Sequence, residues 1–149
     1  MSVLGVLLAG GQARRMGGGD KGLSMLGGQP IMKRIIERAQ SQVSTLIINA
    51  NGDTGRFQNF GFEVIPDVIK GFAGPLAGVL TGLEWAISNA PEIEWVATFP
   101  TDAPFMPMDL VQRLSFAVAS EGADLACARS NSRSHPVFGL WPVNLADDL

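Results

Sequence analysis

Leu7-Leu-Ala-Gly-Gly-Gln-Ala-Arg-Arg-Met-Gly-Gly-Gly-Asp-Lys21 carries five glycines, two adjacent arginines and a closing lysine. The apolar run Val3 to Leu8 overlaps its start and suits a buried strand. A strand that passes into a glycine-rich basic loop and then into a helix is the arrangement phosphate sites use, because unsatisfied backbone N–H groups there can face an anion. The stretch therefore predicts an α/β fold with a phosphate cradle after its first strand.

Further apolar runs recur at Thr45 to Ala50, Glu63 to Pro66, Trp95 to Pro100, Ala123 to Ala128 and Val137 to Trp141, and each predicts a strand. Helices fall between them. Pro30 to Ala39 starts on proline and aligns Ile31, Ile35, Ile36 and Ala39 along one face. Leu76 to Asn89 repeats Val79, Leu80, Leu83, Ala86 and Ile87 at helical spacing, and Met108 to Ala119 follows Pro107. Alternating strands and helices predict a layered α/β domain with a mostly parallel sheet, right-handed crossovers and a ligand crevice at the carboxyl ends of the strands. The polar motifs collect at those ends: the glycine loop, Asn49-Ala50-Asn51-Gly52-Asp53, Pro66-Asp67 and Pro100-Thr101-Asp102-Ala103-Pro104.

Composition narrows the function. A chain of 149 residues fits one domain and has no internal repeat, linker or low-complexity tract. Net charge of −3 supplies no basic field for nucleic acid, and no apolar run is long enough to span a membrane. The run Val3 to Ala9 lacks the preceding basic residues of a secretory leader. Cys127 has no second cysteine to pair with, and with His135 the sole histidine no Cys/His zinc cluster can form; both facts fit a reducing cytoplasm. Cys127, in mid-strand, is expected to be core packing.

Gly17, Gly19 and Gly22 match G-x-G-x-x-G, yet they stand well after Leu8, and the second strand ends on Asn49 rather than an acid, so the dinucleotide fingerprint does not apply. A Walker loop also fails, since Gly22 rather than Ser or Thr follows Lys21. What remains is a long loop whose amides can close around polyphosphate, with Arg15 and Lys21 adding charge and Arg14 the weaker contributor. Asp102 alone is as well explained by a turn or a helix cap as by a metal. Beside a phosphate loop it suits magnesium, which commonly takes one or two carboxylates plus phosphates and water. Gly74-Pro75-Leu76-Ala77-Gly78 permits close approach to a ligand or merely starts a helix, and the residues do not choose between these. His135, in a loop before Pro136, is expected to meet substrate or solvent rather than act as a general base.

Leu8-Ala9-Gly10-Gly11, Arg15-Met16-Gly17-Gly18, Asp20-Lys21, Asn49-Ala50-Asn51, Asp67, Gly74 to Gly78, Thr101 to Pro104 and His135-Pro136 together resemble, in order, the signature of the molybdenum cofactor nucleotidyltransferases. The resemblance spans essentially the whole chain and implies a Rossmann-like three-layer nucleotidyltransferase fold, with helices on both faces of a mostly parallel sheet. Leu-Ala-Gly-Gly at positions 8 to 11 is similar to the guanylyltransferase form, whereas cytidylyltransferase relatives usually carry alanine where Gly10 stands.

The resemblance further implies the following roles. Leu8, Ala9, Gly10, Lys21, Asn49 and Asp67 would bind GTP; Asp102 would hold Mg2+ and nucleotide together; Arg15, Lys21 and Asp102 would carry catalysis. Gly78, Arg129, Arg133 and His135 would face molybdopterin. The implied reaction transfers GMP from GTP to the terminal phosphate of molybdenum-molybdopterin and releases pyrophosphate, with molybdenum-insertion proteins and molybdoenzymes as further partners. The alternatives are a cytidylyltransferase, another acceptor, or a non-catalytic nucleotide-binding protein. Family members continue past the point where this sequence stops, at Leu145-Ala146-Asp147-Asp148-Leu149. The expectation is thus a single domain lacking the family's carboxyl-terminal segment, with nucleotide binding less affected than transfer.

Overall fold

The computed structural model describes residues 2–9, 25–26, 29–50, 60–67, 75–100, 107–121, 126–130 and 133–148. Its elements in chain order are β1 (Val3–Leu8), β2 (Met25–Leu26), β3 (Gln29–Pro30), α1 (Ile31–Gln40), β4 (Thr45–Asn49), β5 (Val64–Ile65), α2 (Pro75–Asn89), β6 (Trp95–Pro100), α3 (Leu110–Glu121), β7 (Ala126–Ser130) and β8 (Arg133–Pro142), then a 3₁₀ helix over Val143–Asp148. The main sheet runs β5-β4-β1-β6-β8-β7. Its first four strands are parallel, and β8 pairs antiparallel with both β6 and β7.

Both faces of the sheet are covered. Residues of β1 alternate across it, as a pleated strand requires. Val3, Leu7 and Ala9 pack against Met32, Ile35, Ile36 and Ala39 of α1 and Leu110, Val111 and Leu114 of α3. Leu4 and Val6 pack against Val79, Leu80, Leu83 and Ala86 of α2, joined by Trp141 and the half-buried Val143 and Leu145. Every strand of the parallel block can therefore be apolar on both sides, which is why these strands read as continuous hydrophobic runs.

Three details depart from expectation. Ile87 is 49% exposed. It stands one turn after Leu83 and two turns after Leu80, both buried, so on that side the apolar stripe of α2 ends before the helix's last turn. His135 lies within β8 rather than in a loop. The ladder shifts register between Cys127, opposite Gly139, and Ala128, opposite His135, so residues 136–138 are extra on β8. A bulge admits Pro136, which has no N–H to give a ladder. The last is at the carboxyl end, where residues 145–148 belong to a 3₁₀ helix that already starts at Val143.

Candidate active site

The parallel strands bring their carboxyl ends to one edge. Register pairs Leu8 with Asn49 on one side and with Pro100 on the other, and Asn49 with Ile65. Residues far apart in sequence thus stand side by side. Just beyond, the Ala9 N–H donates to the Asn49 carbonyl (2.8 Å) and the Ala50 N–H to the Ile65 carbonyl (3.1 Å), carrying the pairing one step past each strand. Ala9 is buried and its N–H is engaged by protein, so it offers no free amide donor.

Asn49 holds the edge together. The residue is 2% exposed, one of the few polar side chains buried among the described residues. Its Nδ2 donates to the Ile65 carbonyl at 3.2 Å and to Asp67 Oδ1 at 2.9 Å. Two acceptors on that side fix the orientation of the amide, since the reverse would set its oxygen against a carbonyl and a carboxylate. Asp67 is half-buried, two residues beyond the end of β5.

Helix α2 closes over this edge from one face. It begins at Pro75, whose missing N–H costs nothing at a first helical position. A Cβ at Gly78 would lie 2.5 Å from Leu8 Cδ2 and 2.7 Å from Asn49 Oδ1. One turn on, a Cβ at Gly82 would lie 2.7 Å from Val6 Cγ2. Both glycines let the helix backbone approach the sheet, and at Gly78 the close approach is to the protein's own strand ends. That packing demand was not visible in Gly-Pro-Leu-Ala-Gly, which gave equal weight to ligand approach and helix start.

Of the predicted site residues, Leu8, Ala9, Asn49, Asp67 and Gly78 meet at this edge. Gly10, Arg15, Lys21 and Asp102 lie outside the described residues. Arg129, Arg133 and His135 are described by backbone alone: they sit in the β7–β8 hairpin, where Arg129 is opposite Ser134, Ser130 opposite Arg133 and Ala128 opposite His135. Among the described residues no group of three or more His, Cys, Asp or Glu side chains could hold a metal. None of their helices is long and apolar enough to cross a membrane. Sequence reasoning missed the Ile65 carbonyl and the bond between Asn49 and Asp67. Both follow from the pairing of Asn49 with Ile65, which no local pattern reveals.

A parallel block with a polar carboxyl edge, covered by helices on both faces, is an α/β layer fold, and its likeness to solved structures makes it the nucleotidyltransferase form. The chain belongs to the family of MobA-like NTP transferase domains, whose model matches residues 5–149, and it is a nucleotidyltransferase. It is 52% identical over 145 residues to a molybdenum cofactor guanylyltransferase of Nitrobacter hamburgensis, covering 97% of this chain and 69% of that one. A protein of the same name from a Bradyrhizobium species is 49% identical over 148 residues, covering 99% and 70%. The crystal structure of molybdopterin-guanine dinucleotide biosynthesis protein A from Archaeoglobus fulgidus superposes with a TM-score of 0.72 at 19% identity, over 97% of this chain and 70% of that one. That likeness bears on the fold.

Proposed function

We propose that this chain transfers GMP from GTP to the terminal phosphate of molybdenum-molybdopterin in the cytoplasm, giving the guanine dinucleotide form of the cofactor and releasing pyrophosphate. The observation that carries this reading is identity near 50% over almost the whole chain to proteins named molybdenum cofactor guanylyltransferase. The strand-edge geometry supports it, since Leu8, Asn49 and Asp67 adjoin where the glycine loop leaves β1.

An oxygen of the acceptor's terminal phosphate attacks the α-phosphorus of GTP, and the bond from that phosphorus to the bridging oxygen breaks as pyrophosphate departs. No protein nucleophile is required. Catalysis of such a transfer is mostly positioning and charge neutralisation. Leu8, Ala9 and Gly10 shape the entrance to the loop, Arg15 and Lys21 neutralise the phosphates, and Asn49 with Asp67 forms the adjoining wall. In this reading Arg129, Arg133 and His135 serve the pterin substrate, while Gly78 seats α2 against Leu8 and Asn49.

The donor set fits magnesium. Strand β6 ends at Pro100 beside Leu8, and Asp102 follows two residues later in the sequence. A nucleotide-bound magnesium needs only one or two carboxylates, so the absence of a three-residue cluster among the described residues does not count against it. When bound, Mg2+ supplies neutralisation of the triphosphate's charge.

Titration calorimetry with GTP and Mg2+ tests the reading. Lys21→Ala and Asp102→Ala are each expected to weaken binding at least tenfold, the scale of a lost charge-assisted contact. Binding unchanged in both variants overturns the site. A melting temperature raised by CTP but not by GTP overturns the choice of base.

A further inference from the structure

We infer that Thr98 is a positioning residue for the acceptor substrate: its hydroxyl fixes the base of the β7–β8 hairpin against β6 and so sets where the outer part of that hairpin stands along the carboxyl edge. The inference rests on the proposed reading that Arg129, Arg133 and His135 serve the pterin substrate.

The relevant contacts lie where β8 leaves β6. Strand β8 pairs with β6 from Pro142, opposite Trp95, to Gly139, opposite Thr98, and the described pairing stops there. Because the two strands are antiparallel, the residues of β8 before Gly139 run on toward the end of β6, the end that Asp102 follows in the sequence. In that direction come residues 136–138, which the ladder with β7 skips, and then the pairs of His135, Ser134 and Arg133 with Ala128, Arg129 and Ser130. A bulge bends its strand and re-aims what lies beyond it. The place of the outer hairpin therefore depends on the last fixed point before the bulge, and that point is Gly139.

Gly139 is held there by a side chain. Its N–H donates to Thr98 Oγ1 at 3.2 Å, and the Trp141 Nε1–H donates to the same oxygen at 3.0 Å. A hydroxyl oxygen has two lone pairs, and these two bonds use both. The indole reaches the hydroxyl by lying over Gly139, where a Cβ would stand 2.6 Å from Trp141 Nε1. Strand β6 does not depend on this contact, since it pairs with β1 along its whole length, from Trp95 opposite Val3 to Pro100 opposite Leu8. Loss of the hydroxyl thus falls on β8 and its hairpin and leaves β6 seated.

Steady-state kinetics of the full chain with Mg2+ separate the two substrates. The KM for molybdenum-molybdopterin and the KM for GTP are measured for the wild type, Thr98→Val, Thr98→Ser and Trp141→Phe, each below its own melting temperature. Thr98→Val is expected to raise the KM for molybdenum-molybdopterin roughly tenfold, the scale of one lost hydrogen bond, and to leave the KM for GTP unchanged. Thr98→Ser keeps the hydroxyl and is expected to restore the wild-type value. Trp141→Phe removes the indole bond but not the bond from Gly139, so it is expected to leave both KM values as they are. An unchanged KM for molybdenum-molybdopterin in Thr98→Val, an equal rise for GTP, no restoration by Thr98→Ser, or the same rise in Trp141→Phe overturns the inference, the last because it assigns the effect to core packing. If Thr98→Val melts below the assay temperature, Thr98→Cys, whose sulfur is a weak acceptor, runs the same comparison with the same outcomes. A folded wild type that forms no dinucleotide overturns the proposed function and this inference together. Wild-type turnover with any of the contrary KM results overturns the inference alone.

Discussion

Single buried polar residues set the geometry on both sides of the central strands. Thr98, in the middle of β6, is 1% exposed, and its hydroxyl accepts the Trp141 Nε1–H at 3.0 Å and the Gly139 N–H at 3.2 Å. It ties β6 to the antiparallel β8 and seats the indole in the core beneath α2. Thr98→Val keeps the shape and deletes the acceptor, leaving a buried indole N–H unsatisfied at a cost of about 1–3 kcal/mol. Calorimetric melting should show a Tm several degrees lower, on the scale of about 2–4 °C per kcal/mol for a chain of this size. A Tm within one degree of wild type would show that the indole finds another partner. Nothing in the local sequence marked Thr98, since a threonine inside an apolar run is ordinary strand composition. Its role follows from what the far end of the chain lays across it.

At the scale of elements, α1 and α3 are joined by one side chain. Gln42, in the turn after α1, donates through Nε2 to the Arg38 carbonyl at 2.9 Å and the Pro107 carbonyl at 3.1 Å, while its Oε1 accepts the Val111 N–H at 2.8 Å. Orphan groups at the end of one helix and the start of the next are satisfied together. Gln42→Ala should cost about 1–2 kcal/mol, as the loss of a helix cap does. Urea unfolding should then show a lower midpoint with an unchanged slope. A lowered slope would place the effect in the unfolded state or in the compactness of the native one. The neighbouring Asp109–Arg113 ion pair is exposed and contributes little by comparison.

The helices were legible because each buries a periodic apolar face, and β1, β4 and β6 because a strand buried on both sides reads as a continuous apolar run. Hairpin β2–β3 was not, since two-residue strands have no pattern to show. The direction of β8 was also hidden: an apolar run such as Val137 to Trp141 reads alike whichever way it pairs. At the candidate site, the residues at the edge of the sheet could be picked from their places after apolar runs. The contacts between them could not, because they depend on register across strands.

In the whole molecule, the order β5-β4-β1-β6 sets the carboxyl ends of four parallel strands along one edge, with β1 near the middle. The glycine loop follows β1 in the sequence, Asn49 ends β4, Asp67 follows β5, and the segment that carries Asp102 follows β6. In the proposed reading, groups from four distant parts of the sequence act on one triphosphate along this edge. In the proposed reaction the guanylyl group of GTP passes to molybdopterin, with pyrophosphate as the leaving group. The most direct measurement incubates the chain with Mg2+, molybdenum-molybdopterin and GTP labelled at the α-phosphate, and follows the label. It should appear in a pterin-guanine dinucleotide, with unlabelled pyrophosphate released in equal amount. Label that remains in GTP, or that leaves as free GMP without a dinucleotide, would contradict the account.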